Sequence, residues 1–352
     1  MQRCLQLAAM GAGQEAPNPM VGAVLVYAGR IIGEGYHKKF GEAHAEVNCL
    51  NNVADADKGF IAHSTMYVSL EPCGHFGKTP PCADLIIKNK IREAVIGCRD
   101  SFAEVDGKGI EKLKNAGINV TVGVLENKCI ELNKRFFTFH EKKRPYIILK
   151  WAQSCDGKIA LLNPPVGGTL KHSDAERLLI SNEFTNRMVH KWRSEEAAIL
   201  IGTNTALLDD PALTTRLWPG NHPVRLVIDK ELKLPGHLKL FDGKAKTIVF
   251  NFVKQADDGM LLHHKLDPGK KILAQVLAAL YAYQIQSVIV EGGSKLLQFF
   301  IDVGLWDEAR VISNSTMVIG EGLDAPVLPG GTLISEEKIK TDIISIKKNK
   351  NN

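Results

Sequence analysis

The chain has 352 residues, 45% of them hydrophobic and 24% charged, which is enough for two ordinary globular domains with sizeable cores. Of the net charge of +5, Lys347, Lys348 and Lys350 supply three; the near-neutral remainder argues against a nucleic-acid footprint. No stretch reaches the ~18 uninterrupted apolar residues of a membrane helix.

Seven scattered cysteines form no disulfide framework, which fits a reducing, cytoplasmic setting. The opening Met-Gln-Arg-Cys-Leu lacks a basic region followed by a clean apolar run, so no signal peptide is expected. Residues 3–10 read as a short helix that starts abruptly, as though one turn preceded the sequence. After the turn Asn18-Pro19-Met20-Val21-Gly22, Ala23–Val26 and Ile31–Gly35 read as strands paired through Ala28-Gly29. A helix follows from His44, and the strand Met66–Leu70 runs straight into Glu71-Pro72-Cys73. Pro81 opens the helix Cys82–Lys88, in the tolerated first turn. Ala94–Gly97, Gly109–Ala116 and Val120–Val124 read as strand, helix and strand. This alternation implies an α/β sandwich.

Residues 44–82 carry the first chemistry. His44-Ala-Glu46 and Glu71-Pro-Cys73, with Cys82 nine positions on, supply one His, two Cys and a separate carboxylate. Three protein ligands leave the fourth position of a tetrahedral zinc to water, as a catalytic site requires. His44, Cys73 and Cys82 are the expected ligands. Glu46 is the expected proton shuttle between water and a leaving amine. The order His-x-Glu, Pro-Cys, Cys is that of zinc nucleobase deaminases, although their usual Cys-x-x-Cys is shorter. Residues two apart diverge on a helix, so His44 and Glu46 converge only if the helix begins beside them. A structural zinc would recruit a fourth ligand, for which His75 and Cys49 are candidates.

Glu141-Lys-Lys-Arg-Pro145 marks a domain boundary. Beyond it the expected strands are Tyr146–Lys150, Ala198–Ile201, Arg225–Ile228, Thr247–Phe250, Ser287–Val290 and Glu308–Ile312. A helix at 183–193 shows the stripe Phe184, Met188, Trp192. Three places look functional: Ser154-Cys-Asp-Gly-Lys158; Gly202-Thr-Asn-Thr205 with the polar segment up to Arg216; and Val290-Glu291-Gly292-Gly293, where a strand meets a helix start suited to phosphate. A plain tight turn accounts for the two glycines equally well. No Gly-x-Gly-x-x-Gly follows a strand, so a Rossmann domain is not supported.

Over nearly its whole length the chain resembles the bifunctional riboflavin-biosynthesis deaminase–reductase family. In the first half the resemblance rests on Asn18-Pro19-Met20-Val21-Gly22, His44-Ala-Glu46-Val and Leu70-Glu-Pro-Cys-Gly-His-Phe-Gly-Lys-Thr-Pro-Pro-Cys82, whose long Cys spacing is the family's own. In the second half it rests on Leu149-Lys150, Ser154-x-Asp156-Gly157-Lys158, Gly202-x-x-Thr205, Asp209-x-Pro211-x-Leu213-Thr214-x-Arg216 and Val290-Glu291-Gly292-Gly293. The fold it implies is a cytidine-deaminase-like α/β/α sandwich at 1–142 and a dihydrofolate-reductase-like α/β domain at 145–346, with a disordered tail at 347–352. The chemistry it implies is one zinc per chain, NADPH, and deamination then reduction of a small pyrimidine nucleotide.

By motif position, Arg193, Leu213, Arg216 and Glu291 would contact substrate. Ala152, Leu179, Thr205, Asp209, Gly293, Ser294, Lys295, Leu296, Leu297, Gln298 and Phe299 would contact NADPH. No nucleic-acid or membrane partner is implied, and association of like chains stays open. The chain departs from the family at Leu179-Ile180-Ser181, where a Trp is usual, in the longer 161–178 loop, and at Asn48, where many members carry His. Two other readings compete: a tRNA or nucleoside deaminase with an accessory domain, and a zinc-stabilised regulator, in which Glu46 would have no purpose.

Overall fold

The structure is a computed structural model that describes residues 1–74, 76, 80–102, 105–161 and 178–350. It divides into two compact units, Met1–Arg144 and Pro145–Asn352. No helix among the described residues is long and apolar enough to cross a membrane.

The first unit has a five-stranded sheet. Its strands are β1 (Gly22–Tyr27), β2 (Arg30–Tyr36), β3 (Thr65–Leu70), β4 (Glu93–Cys98) and β5 (Asn119–Val122), in the order β2-β1-β3-β4-β5. β1 is antiparallel to both β2 and β3; β3, β4 and β5 run parallel. Ala28 and Gly29 both have positive φ (49° and 78°), the conformation of a tight hairpin turn.

The helices are α1 (Gln2–Ala9), α2 (Ala45–Asn51), α3 (Cys82–Lys88), α4 (Lys108–Asn115), α5 (Glu126–Leu132) and α6 (Lys134–Lys142). Alternate strand residues serve opposite layers. Ala23 and Leu25 pack with Cys49 and Leu50 of α2, Ile86 of α3 and Leu113 of α4. Val24 packs instead with Cys4 and Leu7 of α1. The result is an α/β/α sandwich.

The second unit has a ten-stranded sheet. Its strands are β6 (Tyr146–Gln153), β8 (Ala198–Gly202), β9 (Val224–Ile228), β10 (Thr247–Asn251), β11 (Ala256–Asp257), β12 (Leu261–Lys265), β13 (Ser287–Val290), β14 (Glu308–Asn314), β16 (Thr332–Ile339) and β17 (Asp342–Lys348). β7 (Lys158–Leu161) and β15 (Gly322–Asp324) pair separately. The order is β11-β12-β10-β9-β8-β13-β6-β14-β17-β16, and β12 through β14 are all parallel. β13, late in the chain, inserts between β8 and β6. The helices are α7 (Glu183–Glu195), α8 (Thr203–Asp209), α9 (Ile272–Ala282) and α10 (Ser294–Asp302). Ile147, Leu149 and Trp151 of β6 pack under α9 and α10. Tyr146 and Ile148 pack under Val189 and Trp192 of α7. Each buried aliphatic side chain contributes ~1.5–3 kcal/mol, so the two faces dominate this unit's stability.

Three expectations need correction. The buried stripe of α7 is Thr185, Val189 and Trp192, whereas Phe184 is exposed beneath the Lys340 ammonium, 3.9 Å from its ring centre. Lys347 and Lys348 belong to β17, and the Asn349 side chain donates to the Gly304 and Trp306 carbonyls, so the tail is ordered at least that far. α5, α6, α9, β12 and the β16–β17 hairpin, among others, were not anticipated; α5 is preceded by Leu125, a non-glycine with positive φ, and lacks a capping side chain. Of the longer loop, residues 162–177 lie outside the described residues.

Candidate active sites

In the first unit, His44 is the residue before α2, with extended backbone (φ −69°, ψ 167°). The helix therefore begins between His44 and Glu46, the condition under which the two side chains converge. Asn48 holds that start by donating to the Tyr36 and Ala43 carbonyls, at 2.9 and 3.2 Å. β3 delivers Cys73 through a turn anchored by Glu71, and Cys82 opens α3 behind Pro81. His44 Nδ1 lies 3.7 Å from Cys73 Sγ and 3.3 Å from Cys82 Sγ, and the Cys82 N–H donates to Cys73 Sγ at 3.3 Å. Zn–S near 2.3 Å and Zn–N near 2.0 Å, at tetrahedral angles, put nitrogen and sulfur about 3.5 Å apart. The donor set therefore fits zinc.

Glu46 is 3% exposed, and burial raises its carboxyl, with the Cys73 charge adding to the effect. Cys73 is pulled down by the hydrogen bond from Cys82 and then by His44; Cys82 is pushed up in return. Among the described residues, His44, Cys73 and Cys82 are the one metal-capable group. Cys49 faces the core among Ala23, Leu25 and Leu50 and is not a fourth ligand. His75 lies outside the described residues.

In the second unit, the carboxyl ends of β6, β8 and β13 lie at one edge of the parallel sheet, where α/β folds gather ligands. Glu291, directly after β13, accepts both arms of Arg193, from Nε at 3.0 Å and Nη2 at 2.7 Å. Lys150 Nζ is 3.8 Å from the same carboxylate. Burial would raise Glu291, but Arg193 and then Lys150 outweigh it and hold the carboxyl at about 2. The Arg193 fork thus faces a carboxylate here, and gripping phosphate with it would mean releasing Glu291.

Arg216 is exposed, while Thr214 and Thr215 below it are buried. Leu213 is 2% exposed with φ 52°, so it offers backbone, in a conformation that costs a non-glycine ~1 kcal/mol or more. Thr205 packs on the Gly292-Gly293 turn: a Cβ at Gly293 would lie 3.2 Å from Thr205 Oγ1. Gly293 caps α10, and Ser294 Oγ donates to the Asp324 carbonyl at 2.8 Å.

The predicted cofactor residues therefore divide. Gly293, Ser294 and Thr205 meet around one helix start. Lys295 is exposed, Leu296 half-buried and Leu297 in the core, Gln298 bonds residues 302 and 327, and Phe299 is 47% exposed. Ala152 is half-buried on β6, Asp209 ends α8 in an exposed position, and Leu179 is 61% exposed. Ser154-Cys-Asp-Gly-Lys158 proves to be a docking turn: Asp156 accepts the Ile319 and Gly320 N–H groups, and Lys158 pairs with Asp324 at 2.6 Å.

Two residues were missed as participants. Lys150 had a signal, a charge in the apolar run Ile147-Ile148-Leu149-Lys150-Trp151. His190 had little, lying on the helix face whose phase was misjudged.

With one unit equipped for metal-assisted hydrolysis and the other presenting a glycine-lined helix start beside a charged cluster at a sheet edge, the chain is of a two-domain enzyme class. Family models agree with that class. The cytidine and deoxycytidylate deaminase zinc-binding region matches residues 1–98, and the RibD C-terminal domain matches residues 145–351. Riboflavin biosynthesis protein RibD of Aquifex aeolicus is 39% identical over 348 residues, covering 97% of this chain and 92% of the relative. Its counterpart in Bacillus amyloliquefaciens is 37% identical, covering 95% and 85%.

The crystal structure of a diaminohydroxyphosphoribosylaminopyrimidine deaminase/5-amino-6-(5-phosphoribosylamino)uracil reductase from Thermotoga maritima superposes with a TM-score of 0.87 at 37% identity, covering 99% of this chain and 97% of that one. Acinetobacter baumannii RibD superposes at 0.85 and 28% identity, with the same coverage. The chain belongs to the RibD family. It is a bifunctional enzyme of riboflavin biosynthesis, with a zinc-dependent deaminase half and an NADPH-dependent reductase half.

Proposed function

We propose that residues 1–142 deaminate 2,5-diamino-6-ribosylamino-4(3H)-pyrimidinone 5′-phosphate and that residues 145–346 then reduce the ribosyl chain of 5-amino-6-(5-phosphoribosylamino)uracil to ribityl. The two activities after which the Thermotoga relative is named support this substrate pair. The observation that carries the reading is the convergence of His44, Cys73 and Cys82 beside the buried carboxylate of Glu46. His44, Cys73 and Cys82 would hold zinc, whose Lewis acidity would make water nucleophilic near pH 7. Glu46 takes the proton from the attacking water and gives it to the leaving amine.

In the reductase half, NADPH supplies hydride. Gly293 and Ser294 at the start of α10, with Thr205, Asp209, Ala152, Leu179, Lys295, Leu296, Gln298 and Phe299, form its side of the cleft, while Leu297 packs in the core. Arg216, Leu213, Arg193 and Glu291 form the substrate side. Glu291 stays ionised beside Arg193 and accepts hydroxyl hydrogen bonds from the sugar chain. The partner is this small nucleotide, with no nucleic acid or membrane. A cytoplasmic location is supported by the cysteines, none of which is paired in a disulfide.

Elemental analysis tests the metal site. Wild-type protein should carry one zinc per chain and Cys73→Ser should lose it; full zinc occupancy in that variant would refute the ligand set.

A further inference from the structure

We infer that His190 is a positioning residue for the reduction, fixing the backbone of Arg216 as a neutral hydrogen-bond acceptor so that the guanidinium meets the substrate from a set place. The inference rests on the reading that Arg216 contacts the pyrimidine nucleotide.

His190 lies on α7 and is 1% exposed, so it cannot itself touch a ligand in the cleft. Its Nδ1 stands 3.0 Å from the backbone nitrogen of Arg216. A backbone N–H only donates, so Nδ1 must carry a lone pair and the ring proton must sit on Nε2. The neighbouring Thr215 N–H is held the same way, by His222 Nδ1 at 3.3 Å. Thr215 Oγ1 donates to the Asn221 carbonyl, and Arg216 Nη1 donates to Thr214 Oγ1 at 3.1 Å. Arg216, an exposed residue, is thus mounted on a part-buried segment whose N–H groups are held by two imidazoles. An apolar residue at 190 would fill the same space but leave the Arg216 N–H, which is part-buried, without its acceptor.

The charges around the ring support the neutral form. Arg193 on its own helix, Lys150 from β6 and Arg216 from the braced segment are cationic; Glu291, after β13, is the one anion among these neighbours. Burial first, then Arg193 and Arg216, push the imidazole down to about 4. Protonation would remove the acceptor and add a positive charge to that cluster.

The test is steady-state reduction of the deaminated nucleotide by the full-length enzyme carrying His190→Leu, His190→Asn, Arg216→Ala, or His190→Leu with Arg216→Ala. Leu keeps volume and loses the acceptor, whereas Asn keeps an acceptor near the Nδ1 position. His190→Leu should raise KM for the nucleotide roughly tenfold, the scale of one unsatisfied part-buried N–H, and leave KM for NADPH unchanged. His190→Asn should restore most of the loss. On the Arg216→Ala background, His190→Leu should add little, because both act through one contact.

If Arg216→Ala raises the nucleotide KM but His190→Leu does not, the positioning role is wrong and the reading of Arg216 stands. If Arg216→Ala itself leaves that KM unchanged, both fall. Should His190→Leu fail to fold, pH decides. The nucleotide KM of the wild type should rise below about pH 5 more steeply than that of His190→Asn, which has no imidazole to protonate; identical profiles overturn the inference.

Discussion

Glu71 shows how one side chain shapes a site. It is 4% exposed, and its two oxygens accept the N–H groups of Asp100, Gly107, Gly109 and Ile110 at 2.9–3.3 Å. Gly109 is required there, because a Cβ would sit 1.8 Å from the Pro72 carbonyl oxygen. The Glu-Pro-Cys motif was legible as chemistry, but the carboxylate's anchoring partners lie 29–39 residues away and leave no local signal. Glu71→Gln turns one acceptor into a donor facing two N–H groups. It should cost on the order of 3 kcal/mol in urea unfolding of the zinc-loaded enzyme, and wild-type stability would contradict this account.

Glu291 makes a pH prediction. Its folded carboxyl sits at about 2 against an ordinary 4.5, so its contribution is complete above about pH 4.5 and is lost as pH falls toward 2. The stability gap between wild type and Glu291→Gln should be constant from pH 5 to 7 and narrow below pH 4. A gap that widened on acidification would reverse the assignment.

At the scale of elements, α7 is started by a local rule. Asn182 Oδ1 accepts the Phe184 and Thr185 N–H groups at 3.0 and 3.1 Å, and its amide donates to the Ile339 carbonyl. Asn182→Ala should cost ~1–2 kcal/mol by chemical denaturation, the usual value of a cap plus one tertiary hydrogen bond; no change would mean the cap is idle. The helix was legible, but its inward face was not. A spacing of four through Phe184, Met188 and Trp192 also fits a helix whose ridge at Thr185, Val189 and Trp192 is buried, and only the packing of Tyr146 and Ile148 decides between them.

α10 carries the cofactor prediction. Gly293→Val would crowd Thr205 and the helix start, so it should raise KM for NADPH roughly tenfold and leave the nucleotide KM almost unchanged. The reverse pattern would exchange the two ligands in the cleft.

At the scale of the molecule, the central strands were legible because they are continuous apolar runs buried on both faces. The edges were not. β16 is largely exposed, the β16–β17 turn at Lys340 has positive φ without a glycine, and β17 ends in lysines. Nor does local sequence place β13 between β6 and β8, the step that brings Glu291 beside Lys150 and Arg193; that follows from the crossover topology.

Two chemistries are housed in two separate units. Ammonia release from the diaminopyrimidine nucleotide and NADPH oxidation on the already deaminated nucleotide, both measured on folded, zinc-loaded Glu46→Ala, test this most directly. Deamination should be abolished while reduction proceeds at the wild-type rate, and loss of both activities in that variant would contradict the division of labour.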